Sequence, residues 1–434
     1  MKQIADLHIH SKYSRACSKN LTLKNIDKTC RVKGIDIIAT GDFTFPAWFS
    51  SIKEELEEIG LSGLYKLKNA VDGKIKFILS TELALIYKSG GKARRIHIVL
   101  HAPNIKSVKK LNEALDKKYN IRSDGRPILG MSAVDLCELC FGINPEFLIY
   151  PAHIWTPWFS VFGSKSGFDA MEECFGKYTN KIYAYETGLS SDPEMNWRVS
   201  ALDKLTMLSN SDAHSLPNLG REANVFNLEK ITYSEIYKVI KNKQIKKKDK
   251  SYLDYTIEFY PEEGMYHYDG HRDCGICLAP AETKKHKGIC PKCKKPLTIG
   301  VNYRIEDLAD RPHGVKPASM AGYKKLVELD NIIAEAFGVK SRNSKKVRQE
   351  YDWLTNKLGT EFEILTDIPI EDIDKFSASC LIGEGVKRVR EGTLVIEPGF
   401  DGQYGVVKIF KNNEKLKKGG FKAKNDNPIQ KTLF

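Results

Sequence analysis

The segment Asp6-Leu7-His8-Ile9-His10 carries the strongest chemical signal in the chain. On an extended strand, residues two apart point the same way, so Asp6, His8 and His10 share one face. Imidazoles are the commonest transition-metal ligands, and a carboxylate can either ligate or orient them. Three polar side chains in a row on one face are costly to bury unpaired, which favours a metal-site wall over core packing. Asp212-Ala213-His214 repeats the arrangement late in the same region. Between the two lie Thr40-Gly41-Asp42, Thr81-Glu82-Leu83, His97-Ile98-Val99-Leu100, Pro151-Ala152-His153 and Tyr185-Glu186-Thr187. His101, shortly after His97, reads as a structural histidine. Ser-His-Asp and Cys-His sets are not evident, and there is no Walker-type phosphate loop.

A second cluster is made of cysteines. Cys274-Gly275-Ile276-Cys277 and Cys290-Pro291-Lys292-Cys293 are two CxxC pairs separated by twelve residues. Such pairs on tight turns supply the four thiolates of a structural zinc site, which is closed and therefore not catalytic. Lys284, Lys285, His286, Lys287, Lys292, Lys294 and Lys295 surround it and could touch phosphates. Cys137 and Cys140 lack a second pair and read as buried free thiols.

These residues need a scaffold. Up to about residue 230, short β-like runs (Ile4–Ile9, Ile35–Thr40, Ile75–Leu79, Ile96–Leu100, Phe147–Pro151, Ile182–Tyr185, Thr206–Ser209) alternate with amphipathic stretches such as Leu23–Lys33 and Ser107–Tyr119. Repeated βα units imply a parallel sheet, here a distorted β/α barrel, with sites at the C-terminal ends of its strands. Asp42, Glu82, His101, His153, Glu186 and Asp212 each fall at or just past such an end. The fold class expected is α/β: the barrel over 1–232, a basic linker and four-cysteine domain over 233–310, and a helical region with a short β piece over 311–415. A flexible tail over 416–434 completes the chain. Tyr323–Phe337 and Lys345–Leu358 show helical spacing.

The chain has 434 residues, 41% of them hydrophobic and 28% charged, enough to bury a core and too apolar for wholesale disorder. No stretch reaches the roughly 18 apolar residues of a membrane span, and no secretory signal is evident, so a cytoplasmic, nucleoid-associated protein is expected. The formal charge is +13. Residues 1–230 hold 31 basic against 26 acidic side chains and residues 231–434 hold 37 against 29. The excess suits a polyanionic partner.

Taken together, the histidine and carboxylate motifs resemble the polymerase-and-histidinol-phosphatase (PHP) family, distorted β/α barrels that use up to three divalent metals to hydrolyse phosphoesters. The resemblance implies that His8, His10, Glu82 and Asp212 hold one metal. Glu82 would bridge to a second metal held by His97 and His153, and Asp42 and His214 would serve a third. Asp212, Glu82 and His214 would stand closest to the reaction, and the cations would be Zn²⁺, Mg²⁺ or Mn²⁺. One motif departs from the family: it usually ends Asp-His, whereas Thr40-Gly41-Asp42-Phe43 offers only the carboxylate. Joined to the paired CxxC and to Ile305-Glu306-Asp307-Leu308-Ala309-Asp310-Arg311-Pro312, the order is similar to the endonuclease Q family.

That likeness implies a DNA-repair endonuclease that nicks 5′ to deaminated bases (uracil, hypoxanthine, xanthine) or abasic sites, and that extrudes the base it inspects. Glu186, Ser190 and Asn210 are candidates for reading the base edge. Trp155, Trp158, Phe159 and Phe162 are candidates for stacking on it or wedging beside it. Gln430-Lys431-Thr432-Leu433-Phe434 looks like the short peptide that docks on a bacterial-type sliding clamp, which would make the chain bacterial. The alternatives are a phosphoesterase acting on a small phosphomonoester, and a non-catalytic PHP scaffold. The first leaves the zinc ribbon and the clamp-like tail unexplained, and the second leaves the many metal ligands unexplained.

Overall fold

The computed structural model describes residues 1–411 apart from 71, 246–248 and 319. The tail and its peptide Gln430–Phe434 lie outside the described residues. Two compact units are present: Met1–Leu326 with Ile396–Val407, and Val327–Val395 with the chain from Lys408 onward.

The first unit is built round a ring of short strands. β1 (Lys2–Asp6) pairs in parallel with β2 (Ile37–Ala39), and β2 with β3 (Lys76–Ile78). After Leu79 the chain continues as β4 (Ser80–Ser89) and folds back as β5 (Lys92–His101), an antiparallel hairpin paired along its whole length. β5 pairs with β6 (Leu148–Pro151). The Ile154 N–H donates to the Glu186 carbonyl at 3.1 Å and leads to β7 (Ala184–Glu186), which pairs in parallel with β8 (Thr206–Leu208). The ring closes at an isolated bridge between Ile9 and Ala213. There the His10 N–H meets the Ala213 carbonyl at 3.1 Å, and the Asp212 N–H meets the His8 carbonyl at 2.9 Å. The expected distorted β/α barrel is the fold observed.

Hydrophobic pattern and capping chemistry explain its helices. α1 (Leu23–Lys33) starts at Thr22, whose side chain accepts from Asn25 N–H, and stops at Gly34, which adopts φ 87°. It buries Leu23, Ile26 and Cys30. α2 (Ile105–Asp116) is capped by Asn104 and buries Val108, Leu111 and Leu115 at helical spacing. α3 (Ala133–Ile143) opens on a capping box of Ser132 and Asp135. Cys137 and Cys140 are buried on it as free thiols.

All seven β-like runs contain strands. The stretch Tyr323–Phe337, expected to be one helix, is split. Gly322–Lys325 is a strand on the open edge of Tyr252–Glu258, and only Leu329–Ala336 is helical. Backbone pairing at an unfilled sheet edge overrides the helical period there. The second unit adds three helices with no clear sequence signal: Glu361–Thr366, Ile370–Phe376 and Cys380–Glu391. Its interior holds ions, with Arg342 3.2 Å from both Glu328 and Asp330. Nor is this helical region the source of the positive charge: residues 327–395 carry ten basic against thirteen acidic side chains, whereas 231–326 carry nineteen against twelve. No helix among the described residues is long and apolar enough to cross a membrane.

Beside the ring, Ala223–Asn227 and Tyr252–Glu258 pair antiparallel and enclose two carboxylic acids, Glu222 and Glu258. Burial pushes Glu258 up to about 8 and Glu222 well above its ordinary value, with each further raised by a neighbouring carboxylate. The folded state therefore keeps protons that the unfolded chain gives up, and this contribution to stability is lost as pH rises from about 4.5 through 8. Glu258→Gln should flatten that decline, on the order of 2 kcal/mol. Urea midpoints at pH 5, 6.5 and 8 test it; parallel curves for variant and wild type would contradict it.

Candidate metal centre

The ring places its ligands from distant parts of the chain. His8 and His10 stand just past β1, Glu82 in β4, His97 in β5, His153 past β6 and Asp212 past β8. Glu82, expected at a strand end, therefore lies inside the long hairpin with His97, because β4 continues seven residues beyond Glu82. Three of the rim positions adopt left-handed backbone: Asp42 at φ 46°, His153 at 25° and Asp212 at 46°. Non-glycine residues pay for this conformation, and such strain concentrates at functional sites.

Two ligand groups result. His8, His10, Glu82 and Asp212 form one, and Glu82, His97 and His153 form the other, the donor atoms within each lying within 4.8 Å of one another. His10 Nε2 lies 3.0 Å from Asp212 Oδ1 and 3.3 Å from Glu82 Oε2. His97 Nδ1 lies 2.8 Å from Glu82 Oε1, and His153 Nε2 3.3 Å from the same oxygen. The fit to cations is tested by what these atoms lack. His8 Nε2, His10 Nε2, Glu82 Oε1 and Asp212 Oδ1 are buried without a hydrogen bond and converge on one another. Left unpartnered, such atoms would be costly; divalent metals satisfy all of them.

Neighbouring residues fix the ligands. His8 Nδ1 lies 3.1 Å from both oxygens of Glu186, which also accepts from His153 N–H at 2.9 Å and from Asn210 Nδ2 at 2.8 Å. Asn210 Oδ1 in turn accepts from Leu7 N–H at 2.9 Å. Asp42 holds His10 Nδ1 at 3.0 Å and accepts from Ser11 N–H at 2.6 Å and Ser14 Oγ at 2.8 Å. His153 Nδ1 meets Ser160 Oγ at 3.1 Å. These contacts leave each ring's other nitrogen facing the site. Asp6 does not ligate. It accepts from Ser211 N–H, Ser211 Oγ and Gly220 N–H, at 3.1, 2.6 and 2.9 Å, and its pKa is pushed up to about 6 by burial.

The electrostatics follow. Burial alone would raise the Glu82 carboxyl, but His97, Arg126 and His8 outweigh it and hold it well below the carboxylate range. Burial likewise fails to raise Asp212, which His10 and His8 hold low. Glu186 and then Glu82 carry His8, and Asp42, Asp212 and Glu82 carry His10, well above an ordinary imidazole, against burial, while burial takes His97 down to about 4.

The other candidates stand apart from these two groups. Asp42 contacts His10, and His214 Nδ1 contacts the Asp212 carbonyl at 2.8 Å. Glu186 and Asn210 are fully buried and hydrogen-bonded to each other, so neither is open to a base edge. Trp155 is sealed in the core, its indole N–H donating to Asn196 Oδ1 at 2.7 Å, with Phe162 packed beside it. Phe159 packs on the His97 ring. Trp158 is 38% exposed, edge-on to Tyr266, and Ser190 is half-buried with an unpartnered hydroxyl. Arg126, 2.8 Å from Glu82 Oε2, escaped the sequence reading, because its loop carries no motif.

The cysteine cluster also differs. Cys274, Cys290 and Cys293 gather with His271, and Cys277 lies outside the group. Across the hairpin Asp269–His271/Ile276–Leu278, His271 opposes Ile276 and Cys277 opposes Gly270. Opposed residues share a face and successive residues alternate, so His271 and Cys277 face opposite ways. Three thiols and one imidazole are a common structural zinc set. The signal was in the sequence: His271 is three residues before Cys274. All six lysines of the cluster are exposed.

A barrel with two ligand groups sharing one carboxylate defines a metal-dependent hydrolase. Comparison with known proteins narrows the class. The chain is similar to the lesion-specific endonuclease PfuEndoQ of Pyrococcus furiosus, with a TM-score of 0.82 and 31% identity over 96% of this chain and 98% of that one. It is equally similar, at 32% identity, to endonuclease Q in complex with a 27-mer duplex bearing an abasic lesion at the active site. The chain belongs to the endonuclease Q family. Residues 328–393 match the model of the MJ0043 C-terminal domain. Protein MJ0043 of Methanocaldococcus jannaschii is 31% identical over 260 residues, which are 58% of this chain and only 31% of that protein. YqxK of Bacillus subtilis is 29% identical over 94% of this chain and its own full length.

Two outcomes are expected. Asp42→Asn should weaken binding of Mn²⁺ by about 10- to 100-fold without unfolding the chain, as loss of a ligand-orienting partner does; calorimetry with circular dichroism as the fold control checks this. His271→Ala should lower the zinc content of the purified protein and Cys277→Ser should not; the reverse result would restore the four-cysteine site.

Proposed function

We propose that this protein is a lesion-specific DNA endonuclease that nicks the phosphodiester 5′ to a deaminated base (uracil, hypoxanthine or xanthine) or an abasic site. The observation that carries the reading is the pair of ligand groups sharing Glu82, in a chain similar over almost its whole length to endonuclease Q. That the chain is a metal-dependent nuclease is the coarser part, supported by a relative bound to abasic duplex DNA.

Cations held by the two groups supply Lewis acidity and a water that ionises near neutrality. The protein's own residues do the rest. Glu82 joins the two groups, and Asp212 closes the first. His214 lies with its ring 4.5 Å from that of His10 and donates Nδ1–H to the Asp212 carbonyl, which leaves Nε2 as a proton acceptor. Burial lowers its pKa, so it is neutral at pH 7 and able to take a proton from the attacking water. Ser190 offers a hydroxyl to the extruded base, and Trp158 offers an exposed ring to the gap left in the stack. Lys284, Lys285, Lys287, Lys292, Lys294 and Lys295 grip backbone phosphates, and the zinc they surround is structural. Gln430–Phe434 docks on a sliding clamp of bacterial type, and the enzyme works on the cytoplasmic nucleoid.

Purified protein with Mg²⁺ or Mn²⁺ should nick a labelled duplex 5′ to a single dU or dI, and chelation should stop it. Asp212→Ala should abolish nicking while changing DNA affinity less than about threefold, since phosphate contacts dominate affinity. An intact duplex beside rapid turnover of a phosphomonoester would overturn the reading in favour of a small-substrate phosphoesterase.

A further inference from the structure

Arg126 has no part in the ligand groups, yet it reaches into them. Its Nη1 donates to Glu82 Oε2, the oxygen that faces His8 and His10, at 2.8 Å. The guanidinium side chain is 24% exposed while Glu82 is fully buried, so one side of it faces the carboxylate and the other faces solvent. Its root is held firmly. Gly125 N–H donates to the Tyr13 carbonyl at 3.1 Å, Arg126 N–H to Asp124 Oδ1 at 2.9 Å, and Ala84 N–H to the Pro127 carbonyl at 3.1 Å. Gly125 lies so close to Ser14 and Asp42 that a Cβ there would collide with both.

A cation in this place raises a question of charge balance. Two divalent ions bring the four positive charges that Glu82, Asp212, Asp42 and Glu186 together offset, and the guanidinium is then left in excess. In a partly buried site such an excess is stable only when an anion completes it. A phosphodiester supplies that anion, and a planar guanidinium matches its oxygens. We propose that Arg126 grips the scissile phosphate. It pairs with Glu82 until cations claim that carboxylate, then turns its N–H donors to a non-bridging oxygen of the substrate. There it offsets the charge that builds on the phosphoryl oxygens during attack, while its own bonds and proton stay unchanged. This rests on the nuclease reading above.

The test compares wild type, Arg126→Lys and Arg126→Gln in the full chain. Mn²⁺ affinity without DNA should be unchanged or tighter in Arg126→Gln, because a competing cation has gone. Binding of an abasic duplex in Ca²⁺ should weaken about tenfold or more, equivalent to ~1.4 kcal/mol per decade, with Arg126→Lys between. On the same duplex with a neutral methylphosphonate at the scissile position, the difference between wild type and Arg126→Gln should vanish. Single-turnover nicking should fall by about 10²–10³. A difference that persists on the methylphosphonate, or a loss of Mn²⁺ affinity, would overturn the proposal and make Arg126 a structural support of Glu82. A wild type that neither prefers the lesion duplex nor nicks it would overturn the nuclease reading itself.

Discussion

One carboxylate sets the geometry of the whole site. Glu82 offers one oxygen to His8 and His10 and the other to His97 and His153. Its side chain is fully buried, in a place where an unpaired negative charge would be untenable. The imidazoles and Arg126 that surround it make its ionised form stable, and they in turn are arranged by where Glu82 stands. The hairpin β4–β5 carries both Glu82, opposite Val99, and His97, opposite Ala84, two positions apart on the same ladder. Rigid strands, rather than loops, therefore fix the central distance between the two groups.

Around that centre, buried polar residues do the work that apolar packing does elsewhere. Glu186 touches His8, His153 and Asn210, and Asn210 reaches both Leu7 and Asn224. This chain of contacts crosses from β1 to β7 to the strand Ala223–Asn227. Nearly every lone pair and proton on these side chains is used, which is the condition for such networks to rigidify rather than destabilise. Among the ligands themselves, His8, His10, Glu82 and Asp212 each keep one buried atom without a hydrogen bond, and these face one another.

How far the sequence could be read depended on whether a residue's meaning was local. The strands were legible, and so was the gathering of His8, His10, Glu82, His97, His153 and Asp212, because alternation and strand-adjacent polar residues are properties of a few neighbouring positions. Residues whose role comes from a partner far along the chain were misread. Asp42 looked like a ligand, and it stands against His10 rather than within either ligand group. Glu186 and Asn210 flank the motifs in sequence and are sealed behind them in space. Arg126 was invisible until Glu82 had a position. Cys277 was misassigned for another reason: CxxC spacing says nothing about which face of a hairpin each residue takes. The strand Gly322–Lys325 was missed because only an unfilled edge, formed by Tyr252–Glu258, makes it a strand.

The closure of the ring has a consequence for how the protein comes into being. β1 is made first, but the groups that hold its end in place, Asn210, Ser211, Ala213 and Gly220, come more than two hundred residues later. Joining partners so far apart in sequence carries a large loop-closure cost and slows folding. On the ribosome, β1 can pair with β2 early, but the ligand group of His8 and His10 stays incomplete until Asp212 has been synthesised. Cofactor uptake is thereby coupled to completion of the barrel, so a truncated nascent chain cannot assemble a working catalytic centre.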